Sequence, residues 1–97
     1  MERDRILATL RAHQGALERL GIGHLFLFGS VARDEAVAGS DVDLFFDYTD
    51  PAFSLIELVN VQQFLDRMLD RQTDVMTRAS LHPVLRDGIE RSALQVF

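Results

Sequence analysis

A Gly-Ser turn and a pair of alternating carboxylates, set ten residues apart, constrain this chain more than anything else in it. An apolar run, Leu25-Phe26-Leu27-Phe28, stops at Gly29-Ser30; a polar segment follows, and a second run then carries Asp41 and Asp43 on alternate positions. Alternation along a strand points residues i and i+2 to one face, so the two carboxylates fall side by side, roughly 6–7 Å apart, with Val42 and Leu44 turned to the core. Like charges held beside an apolar layer repel each other, and a shared cation relieves the repulsion. Mg²⁺ is the natural candidate, because it takes oxygen ligands, commonly one or two carboxylates plus substrate phosphates. The Gly-Ser turn supplies the complementary half: Gly29 lets backbone approach a phosphate closely, and the Ser30 hydroxyl and neighbouring amides can donate to it.

The rest of the chain limits what such a site can serve. Ninety-seven residues support one domain, spanning 1–97, and leave no room for a sizeable second module. The net charge is −5 and every basic residue is an arginine, which argues against a general nucleic-acid binder with its positive footprint. There is no cysteine, so thiolate metal sites, cysteine nucleophiles and disulfides are excluded. No apolar run reaches the length of a membrane span, and MERDRILATL lacks the apolar core of a signal peptide; a cytoplasmic protein is the default expectation.

Taken in order, the periodicities predict an α/β layer fold with a small, mixed sheet flanked by about four helices. Ile6, Leu7, Leu10, Leu17 and Leu20 mark an amphipathic helix over 3–20, ended by Gly21 and Gly23, with His13 as a structural boundary residue. His24–Phe28 reads as a buried strand and Val31–Glu35 as a helical turn. The second strand runs from Asp41 to Asp47, where Asp47 takes a strand-end role. Asp50-Pro51 is a helix-start signal, for a helix to Asp70 whose inward face comprises Leu55, Leu58, Val59, Phe64 or Leu65, Met68 and Leu69. Thr73–Thr77 is a short strand. A last helix starts near Ser80 and Pro83, turns Val84, Leu85, Ile89 and Leu94 inward, and carries Gly88 at a loss of about 1 kcal/mol relative to alanine. Arg33 has two readings, a solvated cation balancing Asp34 and Glu35 or a planar donor near a triphosphate. Gly39-Ser40 forms a second flexible turn, and Ser40 joins Gly29, Ser30 and Arg33 as a nucleotide-binding candidate.

The string GSVARDEAVAGSDVDL resembles the nucleotidyltransferase superfamily, whose pattern is Gly-Ser, a spacer of this length, and Asp-x-Asp flanked by apolar residues. Within it the string is similar to the minimal nucleotidyltransferases, described as antitoxins paired with HEPN-type ribonuclease toxins. The resemblance covers nearly the whole chain and implies the nucleotidyltransferase core fold. It also implies a third acidic residue from a later strand, here Asp74, so that Asp41, Asp43 and Asp74 would be the catalytic and metal-binding set for two Mg²⁺ ions. Thr73 stands where the family usually has an apolar residue. The implied activity is transfer of AMP from ATP to a tyrosine hydroxyl on a HEPN ribonuclease, which would inactivate it. Two alternatives stand beside it: an antitoxin that neutralises its partner by occlusion, and a small-molecule nucleotidyltransferase, ranked lower because such enzymes usually carry an extra domain.

Overall fold

The computed structural model describes residues 2–97. Its element order is α1 (Glu2–Ala12), α2 (Gln14–Arg19), β1 (Ile22–Phe28), α3 (Gly29–Ala32), β2 (Val42–Tyr48), α4 (Leu55–Leu69), β3 (Thr73–Thr77), a 3₁₀ turn (Arg78–Ser80), α5 (Pro83–Ser92) and β4 (Leu94–Gln95). The sheet order is β3-β2-β1-β4. β1 is antiparallel to β2 and to β4, whereas β2 and β3 are parallel and joined through α4. This is the mixed α/β fold that the periodicities predict.

The two faces of the sheet are built differently, and the difference positions the site. Leu25, Leu27, Val42, Leu44, Phe46 and Val75 alternate onto one face, where they form a continuous core with Leu10, Leu17, Val61 and Leu65 of the helices. On the opposite face Phe45 is buried without joining that core: its ring stacks on Phe26 at 4.7 Å, and the Arg78 guanidinium lies 4.8 Å above Phe26 and 5.1 Å above Phe45. Arg78 is fixed there by Asp47 at 2.8 and 3.0 Å and by Glu90 of α5 at 3.0 Å, while Arg86 reaches the same Glu90 at 2.7 Å. α5 therefore lies on this face through the Arg78–Glu90 ion pair, with Arg86 bracing Glu90 from within the helix, and it buries none of its residues.

Those ion pairs make acid stability a direct check. The Arg78 hydrogen bonds hold the Asp47 carboxyl below its ordinary value despite partial burial. A depressed native pKa contributes stability above the unfolded carboxylate value, near 3.9, and loses it as pH falls through the native value. Arg78→Gln should therefore reduce stability by roughly 1–2 kcal/mol at pH 7, the pair being partly screened and the stacked guanidinium lost. It should cost much less at pH 3. Urea midpoints at the two pH values test this, and an equal loss at both would remove Asp47 from the account.

Several features differ from the sequence reading, among them β1, which starts at Ile22 rather than His24, and the helical turn, which spans Gly29–Ala32 rather than Val31–Glu35. The first helix is two, interrupted at His13, whose Nδ1 bonds the Thr9 carbonyl at 2.9 Å and whose ring meets Phe64 edge-on. Asp50 does not cap α4. Its carboxylate accepts the Ala52 N–H at 2.9 Å in a tight turn, and Phe53 folds back against Tyr48 and Phe46 before the helix begins. The cap is Ser54, in a reciprocal capping box with Glu57. α4 turns Leu58, Val61 and Leu65 to the core, so Leu55 and Val59 stay exposed rather than inward. Val84 and Leu85 are likewise 81% and 58% exposed, not inward. Finally, the chain after Ala93 is strand: Leu94 pairs with Leu27 and Gln95 with Phe26, closing the open edge of β1. Arg11 donates to the Val96 and Gln95 carbonyls at 2.9 and 3.1 Å and secures that edge.

Candidate active site

β1 must stop at Phe28 because the next residue leaves the strand. Gly29 has φ +77°, in the left-handed region that a side chain resists, and α3 starts there. A Cβ placed on Gly29 would lie 2.2 Å from Asp43 Oδ2. The turn and the carboxylate are thus pressed together, and only the missing side chain makes room for the acidic group.

Register builds the rest. Phe28 pairs with Asp43 across β1 and β2, and Asp43 pairs with Asp74 across β2 and β3, so the three residues form one row over the sheet. Asp41 directly precedes the strand, which starts one residue later than expected, at Val42. Asp41 and Asp74 are exposed and Asp43 half-buried. Burial raises the Asp43 pKa above the ordinary carboxylate value, the neighbouring Asp74 and Asp41 charges raise it further, and Arg33 offsets part of the effect. The charges of Asp74 and Asp41 therefore both act on Asp43 in the fold. Among the described residues no three His, Cys, Asp or Glu side chains form a ready cage for a metal ion. Mg²⁺ does not require one, since it completes its shell with water and substrate phosphate, and a half-buried carboxylate crowded by two others is the donor chemistry it relieves.

Two devices hold the row in register. Thr73 is buried, and Asp66 and Gln62 of α4 satisfy it: Asp66 accepts its N–H at 2.8 Å and its hydroxyl at 2.7 Å, and Gln62 donates to that hydroxyl at 2.8 Å. The polar residue before Asp74 thus anchors β3 to the helix. Arg71 reaches the Ser40 carbonyl and Glu2, and the Val42 N–H donates to the Gln72 carbonyl at 3.1 Å, clamping the entrance to β2.

The remaining candidates divide. Arg33 is exposed and bonds Glu35 at 3.2 Å, yet it lines a groove with Gly29, so both of its readings have a structural basis. Ser40 shapes its turn: its hydroxyl accepts the Val37 N–H at 3.0 Å, which leaves its own O–H free to donate. Asp47 pairs with Arg78 and leaves the acidic row to the other three. Sequence reasoning missed the Arg78–Glu90 and Arg71 clamps, which join residues distant in the chain and follow no short-range pattern.

Residues 10–96 match a family described as Nucleotidyltransferase domain. A relative from Methanocaldococcus jannaschii, named as a protein adenylyltransferase (MJ0126), is 33% identical over 93 residues, covering 94% of each chain. The protein adenylyltransferase MntA of Thermococcus cleftensis is 31% identical over 93 residues, covering 95% of this chain and 89% of its own. Among solved structures, a minimal nucleotidyltransferase superposes with a TM-score of 0.83 at 29% identity, over 97% of this chain and 95% of that one. The MNT antitoxin complex with a tri-AMPylated HEPN toxin of Shewanella oneidensis shares the fold, with a TM-score of 0.60 at 20% identity over 89% and 70% of the two chains.

Proposed function

Because this chain belongs to the Nucleotidyltransferase domain family, we propose that it transfers AMP from ATP to a tyrosine hydroxyl of a partner HEPN ribonuclease and so neutralises it, in the cytoplasm. The names of the relatives support the chemistry, and the fold shared with a toxin–antitoxin complex supports the partner. The observation that carries the reading is the contact between Gly29 and Asp43, which sets the phosphate turn against the acidic row.

Asp41, Asp43 and Asp74 would hold Mg²⁺, which when bound lowers the pKa of an attacking hydroxyl and neutralises charge on the triphosphate. Gly29 and Ser30 position the β- and γ-phosphates so that attack at the α-phosphorus is in line. Arg33 supplies a guanidinium to the phosphate side of that line. Asp74, at the far end of the row from the Gly29 turn, stands on the side where an acceptor hydroxyl must arrive and can take its proton.

Incubating the protein with ATP, Mg²⁺ and a candidate HEPN ribonuclease, then weighing the intact partner, should reveal a gain of one or more AMP units. A tight complex with no mass gain would replace this reading with neutralisation by occlusion.

A further inference from the structure

We propose that Arg71 is a positioning residue for Asp41, and that the affinity of the acidic row for a divalent cation depends on it. The proposal rests on the nucleotidyl-transfer reading above, in which Asp41 is a cation ligand, and adds the residue that holds this ligand in place.

Of the three acidic residues, Asp41 is the one that the sheet does not hold. Asp43 and Asp74 pair with each other inside β2 and β3, whereas Asp41 precedes β2, and the parallel register reaches no further than Val42 and Thr73. A ligand on exposed chain outside a ladder binds weakly, because its conformations must be frozen when the cation arrives. Here the peptide groups on both sides of Asp41 are already tied. The Val42 N–H donates to the Gln72 carbonyl at 3.1 Å, and the Ser40 carbonyl accepts from the Arg71 guanidinium. Arg71 and Gln72 are consecutive, so one dipeptide brackets Asp41 from both sides. Where the ladder runs out, a side-chain donor continues it.

The arm that does this is itself fixed. The Arg71 side chain is only 18% exposed, and one guanidinium nitrogen meets Glu2 of α1 while another meets the Ser40 carbonyl. Its backbone N–H donates to the Asp66 carbonyl at 3.3 Å, directly after Asp70, which turns the chain out of α4 at φ +50°. At the other end, the Ser40 N–H donates to the Val37 carbonyl at 3.0 Å, so the turn before Asp41 is closed on itself. Arg71 ties that closed turn to the start of β3.

Charge alone does not account for the arrangement. The cation whose charge acts on Asp43 is Arg33, and Arg71 is paired with Glu2 where it stands. What Arg71 supplies is a planar fork that reaches two acceptors from one largely buried position, which a lysine ammonium does not reproduce. Groups that orient a metal ligand without touching the metal typically carry about 10–100-fold of metal affinity.

The test titrates Mn²⁺, which takes the same oxygen ligands as Mg²⁺, into the whole chain and follows the free ion by electron paramagnetic resonance. Arg71→Gln should weaken Mn²⁺ binding about tenfold, and Arg71→Lys should recover little of the loss, because it restores the charge without the fork. In an Asp41→Asn background that ligand is already gone, so Arg71→Gln should change Mn²⁺ affinity by less than about twofold. Circular dichroism checks that each variant folds, and Arg71→Lys carries the same two-background comparison if Arg71→Gln does not. Unchanged affinity in Arg71→Gln, or an equal loss in both backgrounds, overturns the positioning role and leaves the transfer reading intact. Full recovery by Arg71→Lys overturns it as well, since charge would then suffice. A wild-type protein that binds no Mn²⁺, with or without ATP, removes the cation site of the transfer reading and the positioning role with it.

Discussion

Asp43→Asn is expected to lower AMP transfer by about 10³-fold or more while the domain folds normally and melts slightly higher. The residue is the centre of the acidic row, paired in register with Asp74 and preceded two residues earlier by Asp41. Burial, then Asp74, then Asp41 raise its pKa. A raised native pKa means that the stability tied to the protonated form is complete below the unfolded carboxylate value and is lost as pH rises through the native one. At neutral pH the ionised side chain is therefore a burden on the unliganded fold. Asparagine keeps the shape and removes the charge, so the melting temperature should rise by about 1–4 °C. Mg²⁺ should raise the melting temperature of the wild type by binding the native state, and this rise should shrink sharply in the variant. For the same reason the Mg²⁺ response should weaken as pH falls through the elevated Asp43 value. Wild-type transfer by Asp43→Asn would end the assignment of this residue as a cation ligand, and a lower melting temperature would show that its charge is already compensated.

How much of this was legible depends on the range over which each signal acts. Gly29-Ser30 and Asp41-Val42-Asp43 could be read because strand alternation is local: Val42 and Leu44 are fully buried, as the period of two requires. Thr73–Thr77 was legible with its boundaries, but the resemblance, not the residues, singled out Asp74. The reason Thr73 is tolerated there lies in Asp66 and Gln62 on the preceding helix, which the periodicity had left unassigned. The start of α4 was misread because Asp50-Pro51 and Ser54-x-x-Glu57 are both start signals and the aromatic cluster of Phe53, Tyr48 and Phe46 decides between them. The last helix was misread for a tertiary reason as well. Val84, Leu85 and Ile89 recur at helical spacing, which implies an inward face, but α5 is docked by the Arg78–Glu90 ion pair, and Val84 and Leu85 stay exposed. Leu94 and Gln95 become strand because β1 had an unpaired edge, a demand set by the sheet rather than by those residues.

Gly29→Ala should be the most damaging single methyl group in the chain, with a loss of about 2–4 kcal/mol of stability and at least 10²-fold of transfer activity. Two separate effects add. The residue sits at φ +77°, where a left-handed conformation costs an alanine roughly 1–2 kcal/mol. The new Cβ would also fall 2.2 Å from Asp43 Oδ2 and 3.0 Å from its Cγ, so either the strand or the carboxylate must move. Displacing the carboxylate disables the site even where the fold survives, because in-line transfer depends on placement to within about an ångström. The two effects separate in a double-mutant cycle. In an Asp43→Ala background the clashing Oδ2 and Cγ are gone and only the Cβ, 3.2 Å away, remains. There Gly29→Ala should cost only the backbone component, giving a coupling energy of about 1–2 kcal/mol between the two positions. Urea unfolding of the four proteins measures it. A coupling near zero would mean that the Gly29 turn and Asp43 are not in contact, and the link between the phosphate turn and the acidic row would be lost with it.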